Sequence, residues 1–363
     1  MKSQIHPNSQ MRPSDGSRAH TLIKDILASP ELCLSSLDVR RNTMLFTPMS
    51  LETYRSSDFL DARMHRAGRS DVTVDLNDFV ALFEHFNSQP KPLSIIFHTA
   101  YCCSTLLARC LENLNQTLVL KEPAPLRQLS EAWFTKLPGH DLQKLNRVVG
   151  TLLSRRFSQE SVIVKATSHC INMMPELLGL HADNRAVFLF SSLEDSLACY
   201  LKDVRRRREA RFYLGVMGEL VPPDLLLEAK FTNNDAQIIA LLWMVQVRFY
   251  CQISESLSGG RLIALNCDDF LDTPALALER VASYFGISTT ERALQDVLGS
   301  DAFKRYAKGQ HIDFDREFRR AHLIWVSDLY AKEIEVATKW ARSLPLWSEI
   351  PEYLPNQLQL NAC

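Results

Sequence analysis

The stretch IIFHTAYCCSTLLARCLENL, residues 95–114, has the layout of a phosphate-binding segment: an apolar strand, a tight turn and a helix start. In the Walker frame G-x-x-x-x-G-K-[ST], the glycines would fall on His98 and Cys103 and the lysine on Ser104, so only Thr105 agrees. A helix N-terminus still offers free backbone N–H groups and a partial positive charge, and serine and threonine suit an anion there. The stretch predicts a strand–turn–helix unit that is either an anion site or a plain capped helix start.

From Lys91 onward, short apolar runs rich in β-branched residues alternate with longer helical periods. Five runs have the length and composition of buried strands: PLSIIFHT (92–99), TLVLKEP (117–123), SVIVKA (161–166), RAVFLFS (185–191) and RLIALN (261–266). Such runs separated by helices predict an α/β fold, a three-layer α/β/α sandwich around a central parallel sheet. Ligands in these sheets bind beyond the carboxyl ends of the strands, so the polar residues after each run are candidate site residues.

The bulk composition narrows the function classes. The 363 residues include 41 Lys and Arg and 42 Asp and Glu, a near-neutral balance that argues against a general nucleic-acid or membrane-surface binder. The nine cysteines form no Cys-x-x-Cys pair and no zinc-finger spacing, so we expect no metal site. The N-terminus lacks the apolar core of a signal peptide, and no stretch approaches the apolar length that spans a membrane, which predicts a cytoplasmic protein.

The sequence divides into four parts by composition. Residues 1–20 are polar and predict a mobile tail, and residues 21–90 hold short helical patterns that predict an accessory helical region without a recognisable motif. Residues 91–345 carry the alternating strands and helices of the main domain, and residues 346–363 form a C-terminal tail.

Taken together, four segments resemble the sulfotransferase family, whose members move a sulfuryl group from 3′-phosphoadenosine 5′-phosphosulfate (PAPS) to a hydroxyl or amine. AYCCSTLL is similar to the first motif of the family, FLFSSLEDSLACYLK to the second, LIALNCDDFLDTPALALERVASYFGI to the third, and YAKGQHIDFDREFRR to the loop that closes over the nucleotide. The resemblance spans roughly residues 93–320 in the expected order. It implies a P-loop NTPase-like sulfotransferase fold, with PAPS as the donor.

The resemblance also implies a nucleotide-binding set. Its members are Tyr101, Cys102, Cys103, Ser104, Thr105, Ser191, Cys199, Lys308 and Gly309. Tyr101 stands where the family has a basic residue for the 5′-phosphosulfate, and Ser191 stands where it has the arginine that pairs with the 3′-phosphate. Because a nucleotide with several phosphate charges needs opposing charge in a partly buried site, we expect substitute cations. The candidates are Lys121, Lys308, Arg109 and the arginine run 205–208.

The third strand carries the candidate catalytic residues. In VIVKATSHC, Lys165 ends the strand and His169 follows four residues later. Sulfuryl transfer needs a cation on the oxygen of the leaving group and a base for the acceptor proton, and the resemblance gives these roles to Lys165 and His169. Glu122, after the second strand, is the alternative base.

Other functions stay open on the residues alone. The same cleft could serve a phosphotransferase that uses another nucleotide, or a protein that keeps the fold without catalysis. A Cys103 thiol at a helix N-terminus, with His169 as base, could instead act as a nucleophile. For the transferase we expect a small-molecule or peptide acceptor, and neither a nucleic acid nor a membrane as partner.

Overall fold

The computed structural model describes residues 16–64, 70–114, 117–137, 139–304 and 316–360. The strands are β1 (Leu32–Asp38), β2 (Thr43–Pro48), β3 (Val72–Asp75), β4 (Ser94–His98), β5 (Thr117–Lys121), β6 (Ser161–Lys165), β7 (Arg185–Phe190) and β8 (Leu262–Asn266). Strands β4 to β8 coincide with the five runs that the sequence predicts as a buried parallel sheet.

The helices are α1 (Gly16–Ala28), α2 (Leu51–Ser56), α3 (Leu76–His85), α4 (Ser104–Glu112), α5 (Ala124–Phe134), α6 (Leu142–Leu153), α7 (Met174–Gly179), α8 (Leu193–Leu201), α9 (Val204–Val216), α10 (Pro223–Phe231), α11 (Asp235–Ser256), α12 (Cys267–Asp272), α13 (Pro274–Tyr284), α14 (Glu291–Gly299), α15 (Asp301–Lys304), α16 (Arg316–Leu329) and α17 (Ala331–Ser343). Short 3₁₀ turns lie at Cys170–Met173, Gly218–Leu220 and Pro345–Glu349.

Helices cover both faces of the parallel sheet, which confirms the predicted α/β/α sandwich. On one face, Ile95 and Phe97 of β4 pack in a core that includes α5, α6, α11 and the N-terminal strands. On the other face, Ile96 packs with α4, α12 and α13. Since β4 is apolar on both sides, its run shows no alternation with polar residues.

The strand order determines where a ligand can bind. The parallel sheet has the order β5-β6-β4-β7-β8. From β4 the chain moves outward to β5, returns to β6 beside β4, and then crosses to β7 on the other side. The order therefore reverses at β4, and the crevice for a ligand opens at its carboxyl end, where the turn 98–104 begins.

The N-terminal part contains an antiparallel sheet, in which β2 pairs with both β1 and β3. The prediction of an accessory helical region over residues 21–90 is therefore wrong for these strands. The run LCLSSL, which the sequence analysis assigned to a helical pattern, is β1, because it pairs with β2 and packs against α5. Tertiary contacts here override a weak helical periodicity.

Helix α11 is long and apolar enough to cross a membrane by length and composition, which the sequence analysis did not anticipate. Its 22 residues are the core helix of one face of the sheet, and 72% of its most apolar window is buried inside the protein. Burial against the rest of the chain accounts for its apolar composition.

The described part of the predicted C-terminal tail, residues 346–360, packs on the outer strand β8. The N–H of Leu358 donates to the carbonyl of Ala264 at 2.9 Å, and the N–H of Ala264 donates to that of Asn356 at 3.3 Å. The buried side chains of Leu354 and Leu360 hold the segment in place, so it protects the edge of the sheet.

Arg155, just after α6, joins the N-terminal part to the main domain. Its buried guanidinium donates to the carbonyls of Leu152 at 2.8 Å, Ser29 at 2.7 Å and Leu32 at 2.9 Å, and it also donates to that of Ile26. Three of these carbonyls lie in the last turn of α1 or shortly after it. A single side chain therefore supplies donors to the carbonyl groups at the helix end and fixes that end to the sheet domain.

We expect Arg155→Met to lower the free energy of unfolding by about 2–4 kcal/mol, because two buried and two partly buried carbonyls lose their donor. Urea denaturation followed by circular dichroism measures the change. Arg292→Met removes an exposed arginine of α14 and is the matched control, with an expected change below about 0.5 kcal/mol. Equal stability of the two variants would contradict the anchoring role of Arg155.

Candidate active site

The turn after β4 has a strained backbone and no glycine. Ala100, Tyr101 and Cys103 have φ values of 65°, 53° and 63°, in the left-handed region that side chains disfavour. Each such residue costs on the order of 1 kcal/mol or more, and such costs are concentrated at functional sites. The turn is held by the N–H of Thr99, which donates to the carbonyl of Leu189 on β7 at 3.1 Å.

The turn ends in an open helix N-terminus. Cys103 is the N-cap residue of α4, and no side chain caps the helix. The first main-chain bond runs from the N–H of Leu107 to the carbonyl of Cys103 at 3.0 Å. The first-turn N–H groups, flanked by the buried residues Ser104 and Thr105, are therefore available to an anion.

Tyr101 points away from the helix N-terminus, toward α9. Its hydroxyl donates to Glu209 at 2.7 Å, and the guanidinium of Arg206 lies 4.1 Å from its ring centroid. Burial and the hydrogen bond to Glu209 raise the pKa of Tyr101, so the phenol stays neutral. Tyr101 therefore ties α9 to the turn.

The two adjacent cysteines have different environments. The Cys102 thiol donates to the carbonyl of Leu189 at 3.2 Å, and burial raises its pKa to about 12. The Cys103 thiol shares a hydrogen bond with Cys267, which lowers the pKa of Cys103. Its neighbours do not include His169, so the described residues do not bring together the thiol nucleophile and base that the sequence left open.

A buried ion pair joins the ends of two neighbouring strands. Lys165, the last residue of β6, is 1% exposed, and its Nζ lies 2.6 Å from Oε1 of Glu122, which follows β5. The other carboxylate oxygen of Glu122 lies 3.2 Å from Nη2 of Arg63. The N–H of Glu122 donates to the carbonyl of Lys165 at 2.8 Å. The structure therefore brings two of the predicted catalytic residues together as one charged unit.

The charges around Glu122 determine its protonation. Burial by itself would raise the pKa of the carboxyl group, but Lys165, His98 and Arg63 outweigh this and lower the pKa to about 2. The carboxylate is therefore a weak base at neutral pH and remains available as an ion-pair partner for Lys165.

His98, which sequence analysis named only as a failed Walker position, supports this unit. Its Nδ1 accepts the N–H of Ala100 at 3.0 Å, so its Nε2 carries the hydrogen and donates to the carbonyl of Ala166 at 3.0 Å. Nζ of Lys165 lies 3.2 Å from this Nε2. The imidazole therefore links the ends of β4 and β6 and fixes the start of the turn.

His169 lies apart from the contacts of Lys165. Its ring, 1% exposed, stacks on Tyr213 of α9 with the centroids 4.8 Å apart, and its Nε2 lies 3.7 Å from Oε1 of Glu131 on α5. Neither ring nitrogen has a hydrogen-bond partner among the described residues. The structure leaves His169 with an unused nitrogen, held between α5 and α9.

The second predicted motif follows β7 as expected. The carbonyl of Ser191 accepts from Nε1 of Trp243 at 2.9 Å, and the carbonyl of Cys199 on α8 accepts from Nη1 of Arg206 at 2.8 Å. Both side chains are buried and neither carries charge at neutral pH, so any charge on this side of the crevice comes from other residues.

Three cations surround Cys199. Arg319 of α16, Lys202 and Arg206 all favour the thiolate of Cys199, although burial raises the pKa of its thiol. Nζ of Lys202 lies 3.1 Å from Nε2 of His322, and burial together with Arg206 lowers the pKa of Lys202. In the described parts of the chain, neither Lys202 nor Arg206 forms an ion pair with a carboxylate.

The remaining candidate cations have other partners. Lys121 is buried on the side of α2, where its Nζ lies 2.7 Å from Glu112, and Arg109 lies 2.8 Å from Asp58. Two of the substitutes proposed from the sequence are therefore committed to structural ion pairs. Lys308 and Gly309 lie outside the described residues.

Sequence reasoning missed Arg63, His98, Lys202 and Arg319. His98 and Lys202 belong to quoted motifs, but their partners come from strand β6 and from helix α16, far along the chain. Arg63 precedes Glu122 by 59 residues and approaches it because the N–H of Leu60 donates to the carbonyl of Lys121 at 2.7 Å. No local pattern in the sequence indicates that these residues, distant along the chain, come into contact.

The structural comparisons return sulfotransferases, the family that the motifs resemble. No family model matches the chain, and no curated protein matches it. The sulfotransferase domain of the curacin biosynthetic pathway is 13% identical, with a TM-score of 0.44 over 71% of this chain and 100% of that one. Sulfotransferase STF1 of Mycobacterium tuberculosis is 12% identical, with a TM-score of 0.42 over 87% and 98%. Likenesses this distant carry no argument about activity, which rests on the geometry above.

We expect the Glu122–Lys165 pair to make the protein sensitive to acid. The pKa of Glu122 is lower in the folded than in the unfolded chain, so its contribution is complete above about pH 4.3 and is lost as the pH falls toward 2. This contribution is about 2–3 kcal/mol, and Glu122→Gln removes it.

Denaturation curves recorded between roughly pH 2.5 and 6, the range over which a carboxylate titrates, measure this loss of stability. The stability of the wild type should fall more steeply with acid than that of Glu122→Gln. Glu335→Gln, which alters an exposed pair on α17, should follow the wild type. Parallel curves for wild type and Glu122→Gln would show that folding does not lower the pKa of Glu122.

Proposed function

We propose that this chain is a transferase that moves a sulfuryl group from PAPS to a hydroxyl or amine acceptor. The observation that carries the proposal is the ammonium group of Lys165, buried at the end of β6, next to β4 and its open helix N-terminus. A fixed, buried cation beside free N–H groups fits the charge that develops on a leaving phosphate oxygen.

The residues of the turn would bind the donor, and the residues of the ion pair would stabilise the leaving group. The N–H groups at Ser104 and Thr105 bind the 5′-phosphosulfate, and Lys165 stabilises the negative charge on the oxygen released by the sulfuryl group. Glu122 holds Lys165 in position and is too acidic to accept a proton efficiently at neutral pH.

His169 is our choice for the base. It is the candidate with an unused ring nitrogen, and Glu131 lies where a carboxylate would stabilise the imidazolium formed by proton uptake. It would take the acceptor proton as the acceptor oxygen or nitrogen attacks the sulfur. For this, α9 must admit the acceptor beside Tyr213.

The cations around Cys199 would replace the missing arginine of the second motif. Lys202 and Arg206 are partly buried, and neither forms an ion pair with a carboxylate in the residues that the structure describes, although Asp203 acts electrostatically on both. Arg319 lies 3.7 Å from Asp268. Partly buried cations that repel one another are costly unless an anion joins them. We propose that Lys202, Arg206 and Arg319 bind the 3′-phosphate that distinguishes PAPS from other sulfuryl and phosphoryl donors.

The proposal also covers the loop over the nucleotide, the cellular location and the acceptor. Lys308 and Gly309 would close over the nucleotide, as the sequence resemblance implies. The eight cysteines in the described residues are all free, which fits a reducing cytoplasm. The acceptor would be a small molecule or peptide, with no nucleic acid, membrane or metal taking part.

The preference for a 3′-phosphate tests the donor assignment. We expect adenosine 3′,5′-diphosphate (PAP) to bind at least roughly 100-fold more tightly than AMP, which lacks the 3′-phosphate. Arg319→Met or Lys202→Met should each reduce the preference roughly tenfold and leave AMP affinity nearly unchanged. Isothermal calorimetry measures both ligands.

Arg205→Met, in the exposed part of the same arginine run, is the control and should retain the full preference. Equal affinities for PAP and AMP would contradict a PAPS site. Tighter binding of ATP than of PAP would replace the proposal with the phosphotransferase.

The proposed catalytic role of Lys165 can be separated from its structural role in the ion pair with Glu122. Lys165→Met alone would leave the buried Glu122 with Arg63 but without its closer partner, so Lys165→Met/Glu122→Gln removes both charges of the pair together. We expect this double variant to bind PAP with near-normal affinity and to lose roughly 100- to 1,000-fold in kcat, because charge stabilisation in the transition state is lost. Glu122→Gln alone should lose less. A double variant with normal kcat would refute the assignment of Lys165.

A further inference from the structure

A cavity of about 810 Å³ lies between the N-terminal sheet, α5 and α9. Residues 37–40, at the turn between β1 and β2, form one wall. Residues of α5 and the segment after it form the second, and α9 with the turn at Gly218 forms the third. None of the walls belongs to the turn after β4, so the cavity is distinct from the proposed nucleotide site. Its volume suits a small molecule.

The lining is mainly apolar, and four of its five charged residues already have ion-pair partners. The apolar surface comes from Leu37, Val39, Ala132, Phe134, Leu137, Phe212 and Val216. Of the charged lining residues, Glu219 pairs with Lys136 at 2.9 Å and Arg211 with Asp235 at 2.8 Å. A charged ligand would have to displace these partners, so the cavity suits an uncharged molecule with an apolar body.

The cavity reaches the proposed base through Glu131. This carboxylate lines the cavity and lies 3.7 Å from Nε2 of His169, while Arg127 pairs with it at 2.8 Å. Phe212 of α9 also lines the cavity, and the next residue, Tyr213, stacks on His169. A molecule in the cavity would therefore have Glu131 at one end, with the buried ring of His169 behind this carboxylate.

We propose that this cavity binds the apolar body of the acceptor, an uncharged aryl or alkyl alcohol or amine, with its reacting group directed to the Glu131–His169 end. The assignment as an acceptor site rests on the proposed function, but the binding of such a molecule does not. It also gives the N-terminal sheet a role, because the turn between β1 and β2 supplies a wall that the parallel sheet lacks.

Gly215 of α9 allows a direct test. It lines the cavity, its backbone is not in the left-handed region, and a Cβ at this position would meet no atom within 4 Å. Gly215→Leu therefore projects a side chain into open space without backbone strain and should fill part of the cavity. Gly215→Ala leaves most of the volume free. Gly179→Leu, at a helical glycine with equally open surroundings that does not line the cavity, is the matched control.

The probe is 2-naphthol, an uncharged fluorescent aryl alcohol, titrated into the full chain. We expect saturable binding to the wild type, to Gly215→Ala and to Gly179→Leu, and binding roughly tenfold or more weaker to Gly215→Leu. PAP affinity, measured on the same samples, should be equal in all four proteins and shows that Gly215→Leu is folded.

The outcomes separate the two proposals. If 2-naphthol does not bind the wild type, or binds Gly215→Leu and wild type equally, the cavity proposal is overturned, whatever the PAP result. If PAP does not bind but Gly215→Leu still weakens 2-naphthol binding, the cavity is a ligand site and the sulfotransferase proposal is wrong.

Discussion

The buried ion pair between Lys165 and Glu122 is the constraint on which the site depends. Burial of either charge alone would cost several kcal/mol, so the two side chains must remain together. Their 2.6 Å contact is reinforced by the bond from the N–H of Glu122 to the carbonyl of Lys165. This bond holds Glu122 at a φ of 54°, a left-handed conformation that a glutamate would otherwise avoid.

The same pair makes the N-terminal part a component of the crevice. Arg63 neutralises the second carboxylate oxygen of Glu122, and Leu60 forms main-chain bonds with Lys121 and Ala124 on either side of it. The segment that leads out of the N-terminal sheet is thus connected to the end of β5. The position of Glu122, and through it of Lys165, depends on residues that no motif of the parallel-sheet domain contains.

The sequence predicted the parts of the structure that depend on local pattern. The five buried strands are short, continuous apolar runs, and parallel pairing brings their carboxyl ends to one edge of the sheet. Position alone therefore made Lys165, Glu122 and the turn at Ser104 candidates, while the roles given to them came from the resemblance. The antiparallel strands were missed because β1 has no clear alternation: its buried residues include three in a row. Of the cations near Cys199, Arg206 belongs to the predicted arginine run, whereas Arg319 was missed because it approaches from a helix more than 100 residues away.

The absence of glycine from the turn after β4 explains why α9 has so large a role. Glycine would adopt left-handed conformations at little cost, whereas Ala100, Tyr101 and Cys103 need surrounding contacts to hold them there. Tyr101 obtains these contacts from α9, through Glu209 and Arg206. The same helix places Tyr213 on His169 and lines the cavity with Phe212. A displacement of α9 would therefore alter the turn, the proposed base and the cavity together.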